Sequence, residues 1–310
     1  VSGDGMGRRR YGLSVALTAL LPAGLVGWLV WQGTSGGPGG DRAEQPKPAP
    51  SSTATERGPD ASGEPGASAS PGGPSASPTG ADRRDDLRGR TVVLDPGHNP
   101  NNGKHPDRIS RLVDVGNGRK ECDTTGTQAR SGYTEAEFTL DLARRVQKRL
   151  EARGATVRFT HTGRLPWGPC VDDRAEAGNR ARADLAISLH ADGASPGDRG
   201  FHVILPAPVR GDGANTGPIV RQSRRLGEDL VTAFRKATGT APSNYLGGGK
   251  GLDTRDDLGG LNLSTIPKVF LECGNMRDRQ DAARLADPEW RERAARGVSD
   301  GVATYVTGVR

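Results

Sequence analysis

Thr91-Val92-Val93-Leu94-Asp95-Pro96-Gly97-His98 is the stretch on which the reading of this chain turns. Its first four residues are β-branched or aliphatic, and Pro96-Gly97 closes the run, the pattern of a short buried strand. His98 follows the turn directly. Two later segments repeat the arrangement. Leu185-Ala186-Ile187-Ser188-Leu189 runs into His190, and Lys268-Val269-Phe270-Leu271 runs into Glu272. Three apolar strands that end on chemically capable side chains are the most informative feature of the sequence.

Helical patterns fill the intervals. In residues 135–153, Phe138, Leu142, Val146 and Leu150 form one apolar stripe at a spacing of four, and Gly154 provides a stop. Residues 172–182, 220–238 and 288–306 give three more helices, the second with Leu226, Leu230 and Phe234 aligned. Residues 155–160 and 200–205 read as further strands, and 99–132 as a long irregular stretch rich in Gly, Asn and Asp. Strands alternating with helices predict an α/β fold: a single domain with a mostly parallel central sheet flanked by helices. Ligands bind such sheets beyond the carboxyl ends of the strands, where His98, His190 and Glu272 stand.

The N-terminal third is different in kind. Arg8, Arg9 and Arg10 precede an apolar run over residues 11–31, long enough for the ~30 Å hydrocarbon layer of a bilayer. Basic residues before the run favour a cytoplasmic N-terminus. No small-residue cleavage motif closes the run, so residues 1–33 read as a signal anchor in preference to a cleaved signal peptide. Residues 34–88, rich in Pro, Gly and Ser, cannot bury enough apolar surface to offset chain entropy and are expected to be a disordered linker. The folded domain is then 89–310, enough for one sizeable core.

Composition narrows the function. Aromatic residues are only 4% of the chain, which excludes a large aromatic core. The net charge is +6, and the excess lies in the folded part, which suits a polyanionic partner. Export and the scarcity of aromatics for base stacking disfavour nucleic acid.

Two histidines and one carboxylate are a common catalytic zinc set that leaves a fourth position open. A second carboxylate, not bound to metal, can then take and return a proton. Each residue alone has a plainer reading. A single strand-end His is usually structural, and Glu135 could serve only to favour a helix N-terminus. Glu272, flanked by Val269-Phe270-Leu271 and Cys273, is harder to dismiss, because an unpartnered carboxylate is costly to bury.

The order of four motifs adds a resemblance. Thr91 to His98 comes first, then Ser131-Gly132-Tyr133-Thr134-Glu135, then Ser188-Leu189-His190-Ala191-Asp192, then Val269-Phe270-Leu271-Glu272-Cys273-Gly274-Asn275. Over residues 90–308 the chain resembles the zinc-dependent N-acetylmuramoyl-L-alanine amidases of the type 3 family, and its Arg, Ala and Gly bias looks actinobacterial. The resemblance implies an α/β fold, Zn2+ as cofactor and peptidoglycan as substrate, cut between N-acetylmuramic acid and L-alanine of the stem peptide. It implies that His98, Glu135 and His190 are the zinc ligands and that Glu272 is the catalytic carboxylate. Glu137 is a rival to Glu135 for the ligand position. The chain departs from the family at Asn275-Met276, where an apolar pair is usual, and in its longer 99–133 segment. His105, His161 and His202 match no ligand position and read as structural or surface residues.

Arg255 and Asn262, in a Gly-rich loop before the last strand, are candidates for substrate binding, since Arg pairs bidentately with carboxylates. Of the three cysteines, Cys122 and Cys170 lie in loops and Cys273 in an apolar strand end. In an exported protein this predicts a Cys122–Cys170 disulfide and a buried free Cys273. The expected protein is therefore an extracytoplasmic monomer, anchored in the membrane or secreted to the wall. The alternatives are a zinc peptidase acting on the stem peptide and a non-catalytic cell-wall-binding module.

Overall fold

The computed structural model describes residues 86–211 and 213–309. The expected anchor, residues 1–33, and nearly all of the expected linker lie outside the described residues. Among the described residues no helix is long and apolar enough to cross a membrane. Packing begins slightly before the expected boundary: Leu87 is fully buried and its amide donates to the Arg153 carbonyl.

In chain order the elements are β1 Thr91–Pro96, α1 Pro106–Ile109, β2 Leu112–Asp114, β3 Arg119–Glu121, α2 Glu135–Ala152 and β4 Thr156–Phe159. Then come α3 Val171–Ala181, β5 Leu185–Asp192, β6 His202–Pro206, β7 Arg210–Gly211, β8 Ala214–Asn215 and α4 Gly217–Thr238. The chain closes with β9 Leu252–Arg255, α5 Gly259–Asn262, β10 Lys268–Asn275, α6 Arg279–Ala286 and α7 Pro288–Thr307. Six strands form the central sheet in the order β4-β1-β5-β10-β6-β9. All neighbours are parallel except β10 and β6, so the sheet is mostly parallel, as the alternation of strands and helices implies.

The apolar runs explain the layering. Leu94, Ile187, Leu189, Val269 and Leu271 face one side and are completely buried against α2, α4 and α7, through Phe138, Leu142, Val146, Leu226, Leu230, Phe234 and Trp290. Truncating one of the large members, Phe138→Ala for example, would cost about 3–5 kcal/mol. On the opposite side Val93 and Ala186 meet only Ala181, Ala183 and Ile266, a thinner apolar layer beside α3. Parallel strands buried on both faces must be apolar throughout rather than alternating, which is what the three strand sequences show.

Two strands run further than their apolar cores. β5 continues to Asp192 and β10 to Asn275, so His190 and Glu272 lie within strands rather than beyond them. The 99–132 stretch is not wholly irregular, because β2 and β3 pair there as a short antiparallel hairpin. α2 starts where the stripe predicts, on a capping box: the Thr134 hydroxyl accepts from the Glu137 amide, and the Glu137 carboxylate accepts from the Thr134 amide.

Candidate active site

The carboxyl ends of β1, β5 and β10 and the first turn of α2 converge on one cavity. Its inner part, about 270 Å3, is lined by His98, Glu135, His190, Asp192, Arg255 and Glu272. It adjoins a larger cavity of about 500 Å3, between the hairpin and α5, that shares His98, His190 and Phe270.

The capping box places the two glutamates of α2 differently. Glu137 is spent on Thr134, whose amide and hydroxyl it accepts at 3.0 and 2.8 Å. Glu135, one helical position into the turn, points instead into the cavity and is buried. Its Oε1 lies 2.9 Å from His190 Nδ1 and its Oε2 3.2 Å from His98 Nε2. The remaining lone pairs accept from the Ala191 amide at 3.1 Å and the Thr127 amide at 3.0 Å. The two imidazole rings stand nearly perpendicular, 5.1 Å apart, and Phe270 stacks on His190 at 5.0 Å.

Backbone shape makes this approach possible. His98 adopts φ +59°, a left-handed conformation that a residue with a side chain rarely takes. Gly97 must be glycine, because a Cβ there would sit 2.4 Å from the His190 ring. Gly126 closes the other side, where a Cβ would fall 2.6 Å from His98 and 2.8 Å from Glu135.

The donor set fits a metal. Donor atoms of His98, Glu135 and His190 lie within 4.8 Å of one another, and two imidazole nitrogens with one carboxylate oxygen suit zinc. Burial opposes charge on Glu135, but the two imidazoles outweigh it and hold the carboxyl well below the usual carboxylate range. Burial also opposes charge on His98, yet Glu135 and Asp123 prevail and raise its pKa to about 10.

Glu272 is the chemical opposite of Glu135. It is only partly exposed, and its Oε2, shielded from solvent, has no hydrogen-bond partner among the described residues. Burial, reinforced by the negative charges of Glu135 and Asp192, pushes its carboxyl well above the ordinary value. Two carboxylates in one cavity thus have pKa values driven apart, the arrangement that separates an acid–base group from a permanently charged one.

The other residues singled out from sequence fall as follows. Arg255 lines the inner cavity beside Glu272, with its guanidinium held by Asp257 through two hydrogen bonds of 2.7 Å. Lys120 of the hairpin reaches the same Asp257 at 2.6 Å. Asn262 does not line the cavity. It is buried, and its amide donates to the Val115 carbonyl, Asn117 Oδ1 and the Asp256 carbonyl, which ties two loops together. Cys122 and Cys170 form a disulfide, and Cys273 is free and buried. Burial and the adjacent carboxylates of Glu272 and Glu135 push the Cys273 thiol far above its usual value, as suits a buried structural cysteine. His161 is a satisfied structural residue, donating to the Pro96 carbonyl at 2.8 Å and accepting from the Gly163 amide. His202 lies in β6, buried against the edge of Tyr245.

Sequence reasoning missed a buried charge network beneath the site. Asp95 accepts from Arg174 at 3.0 Å, Lys268 at 3.0 Å, Ser188 at 2.6 Å and Thr160 at 2.7 Å. Arg174 also reaches the Pro96 carbonyl and Asp123. A signal for it was present: Asp95 and Lys268 both sit in strand runs that are otherwise apolar, and a charge there demands a partner.

Residues 92–304 match the type 3 amidase family, described as N-acetylmuramoyl-L-alanine amidase. An N-acetylmuramoyl-L-alanine amidase of Mycobacterium tuberculosis is 37% identical over 221 residues, which cover 71% of this chain and 88% of that protein. The crystal structure of the amidase Ami1 from Mycobacterium smegmatis is similar with a TM-score of 0.64 at 36% identity, covering 73% of this chain and 100% of that one. Ami1 from Mycobacterium abscessus gives 0.63 at 38% identity, covering 71% and 100%. With a fold, a His-Glu-His cluster and a family match that coincide over the same residues, the chain belongs to the type 3 family of N-acetylmuramoyl-L-alanine amidases.

Proposed function

We propose that this chain hydrolyses peptidoglycan at the amide between N-acetylmuramic acid and L-alanine of the stem peptide, with zinc held by His98, Glu135 and His190. The observation that carries the reading is the convergence of these three side chains and Glu272 from four separate segments on one cavity, inside a domain of this family.

His98 Nε2 and His190 Nδ1 each face one oxygen of Glu135, at 3.2 and 2.9 Å. When bound there, zinc supplies a nucleophile from water at neutral pH and polarises the scissile carbonyl. Glu272 accepts a proton as water adds to the carbonyl carbon and delivers it to the L-alanine nitrogen as the carbon–nitrogen bond breaks. An amide nitrogen leaves poorly unless protonated, so the step needs a positioned acid. Burial raises the Glu272 carboxyl, which favours its holding the proton until the nitrogen takes it. Arg255, on the cavity wall, is placed to meet a stem-peptide carboxylate, in exchange for its present partner Asp257. Asn262, turned away from the cavity, supports the loops around it instead.

The basic and apolar N-terminal segment and the disulfide support action outside the cytoplasm, where the substrate is. Digestion of purified peptidoglycan followed by mass analysis tests the reading. Intact stem peptides with a free L-alanine amine are expected. Shortened stem peptides would instead identify a peptidase, and unaltered wall material a binding module.

A further inference from the structure

His98 is fixed by a partner that no motif contains. Its Nδ1, on the ring edge away from Glu135, lies 3.3 Å from Asp123 Oδ1, 3.1 Å from the Thr124 carbonyl and 3.2 Å from the Thr124 hydroxyl. With Nε2 directed at the cavity, Nδ1 carries the proton and donates it to the Thr124 carbonyl, with the charged Asp123 carboxylate paired to the same ring edge at 3.3 Å. Asp123 is buried, and its other oxygen accepts from Arg174 at 2.8 Å. Arg174 in turn reaches the Pro96 carbonyl, two residues before His98.

The chain around Asp123 serves the same ligands. The Thr127 amide donates to Glu135 Oε2, and Gly126 packs against both His98 and Glu135. One short segment, 123–127, therefore forms the outer wall behind two of the three ligands. It is tethered at its start. Cys122 is bonded to Cys170, the residue that opens α3, and the Val171 amide donates to the Cys122 carbonyl at 2.8 Å. α3 is also the helix that supplies Arg174, so the disulfide joins the two elements that meet at Asp123.

We propose that Asp123 is a positioning residue that orients the His98 imidazole for metal binding, and that the Cys122–Cys170 disulfide holds it in place. This rests on the reading of His98, Glu135 and His190 as the zinc ligands. A carboxylate behind a ligating imidazole fixes its tautomer and orientation and raises its basicity, and losing such a partner typically weakens metal binding about 10–100-fold. The rival role for Asp123 is simply to balance the charge of Arg174.

Zinc affinity of the full chain, measured by chelator competition, separates the two roles when read beside the thermal midpoint of the metal-free protein and the visible spectrum of the cobalt(II)-loaded protein. Asp123→Asn is expected to weaken zinc about 10–100-fold and to shift the cobalt bands, while Asp123→Glu recovers part of the affinity. Cys122→Ala/Cys170→Ala, which touches no ligand, is expected to weaken zinc in the same direction. If Asp123→Asn lowers only the thermal midpoint, with zinc affinity and cobalt bands unchanged, Asp123 is a counter-ion and the proposal is overturned. If the double cysteine variant keeps full zinc affinity, the tether is overturned. A wild-type chain that holds no zinc, or that keeps it after His98→Ala, would overturn the ligand assignment itself, a failure distinct from that of Asp123 alone.

Discussion

Glu272 stands directly opposite His190 in the parallel pairing of β10 with β5. The proposed acid–base carboxylate and a proposed metal ligand are thus neighbours across one sheet register, with Phe270, two positions before Glu272, stacked on the same imidazole. Because side chains alternate along a strand, a slip of one residue would turn Glu272 away from the cavity. The chemistry is tied to the packing of Val269 and Leu271, which fixes that register from the core side.

Replacing either histidine should remove the metal. His98→Ala and His190→Ala are each expected to lose zinc retention and turnover together, measured as metal content of the purified protein and release of stem peptides. Stoichiometric zinc with normal turnover in His98→Ala would show the site to be elsewhere.

The two glutamates of α2 should separate cleanly. Glu135→Gln is expected to weaken zinc binding strongly, because it removes the charge facing both imidazoles. Glu137→Ala is expected to keep its zinc and to lose about 0.3–1.5 kcal/mol of stability, the usual worth of one helix-capping element. Calorimetry beside a metal assay distinguishes them.

Acid should destabilise the metal-free domain in part through His161. Burial, then the nearby Arg174, lowers its pKa from 6.5 to about 4. The folded state therefore resists protonation that the unfolded state accepts. Stability from this residue is complete above about pH 6.5 and is lost as pH falls towards 4, in total roughly 3 kcal/mol at ~1.4 kcal/mol per pH unit. His161→Gln, which can keep a donor to Pro96, is expected to flatten the stability profile across that window. An unchanged slope would assign the acid sensitivity to the carboxylates.

Loss of the disulfide should cost about 2–5 kcal/mol. Mass mapping without reductant is expected to find Cys122 linked to Cys170, with Cys273 alkylated only after unfolding. A crosslink containing Cys273 would refute the pairing.

Much of this was legible in the sequence, for identifiable reasons. The cores of β1, β5 and β10 are apolar runs, broken by Asp95, Ser188 and Lys268, and the residues at their carboxyl ends belong to the binding edge of the sheet. The resemblance favours Glu135 over Glu137 from its distance to the apolar stripe, whereas the capping box that engages Glu137 is seen only in the folded chain. Other features depend on tertiary proximity alone. Arg174 sits in the polar run Asp172-Asp173-Arg174 and reads as exposed, yet it is buried by Asp95 and Asp123 from distant segments. β2 and β3 are three residues each and largely exposed, so they carry no alternation to detect. Asn262 looked available in a Gly-rich loop, but α5 turns it inward.

The most direct test is Glu272→Gln, assayed for zinc content and for peptidoglycan products beside the wild type. The wild type is expected to hold zinc and release intact stem peptides that begin with L-alanine. The variant, isosteric and lacking only the proton-carrying group, is expected to hold the same zinc and release the same peptides about 10²–10⁴-fold more slowly. Loss of zinc in parallel with activity would make Glu272 a ligand or a support for one, and undiminished turnover would remove it from the reaction.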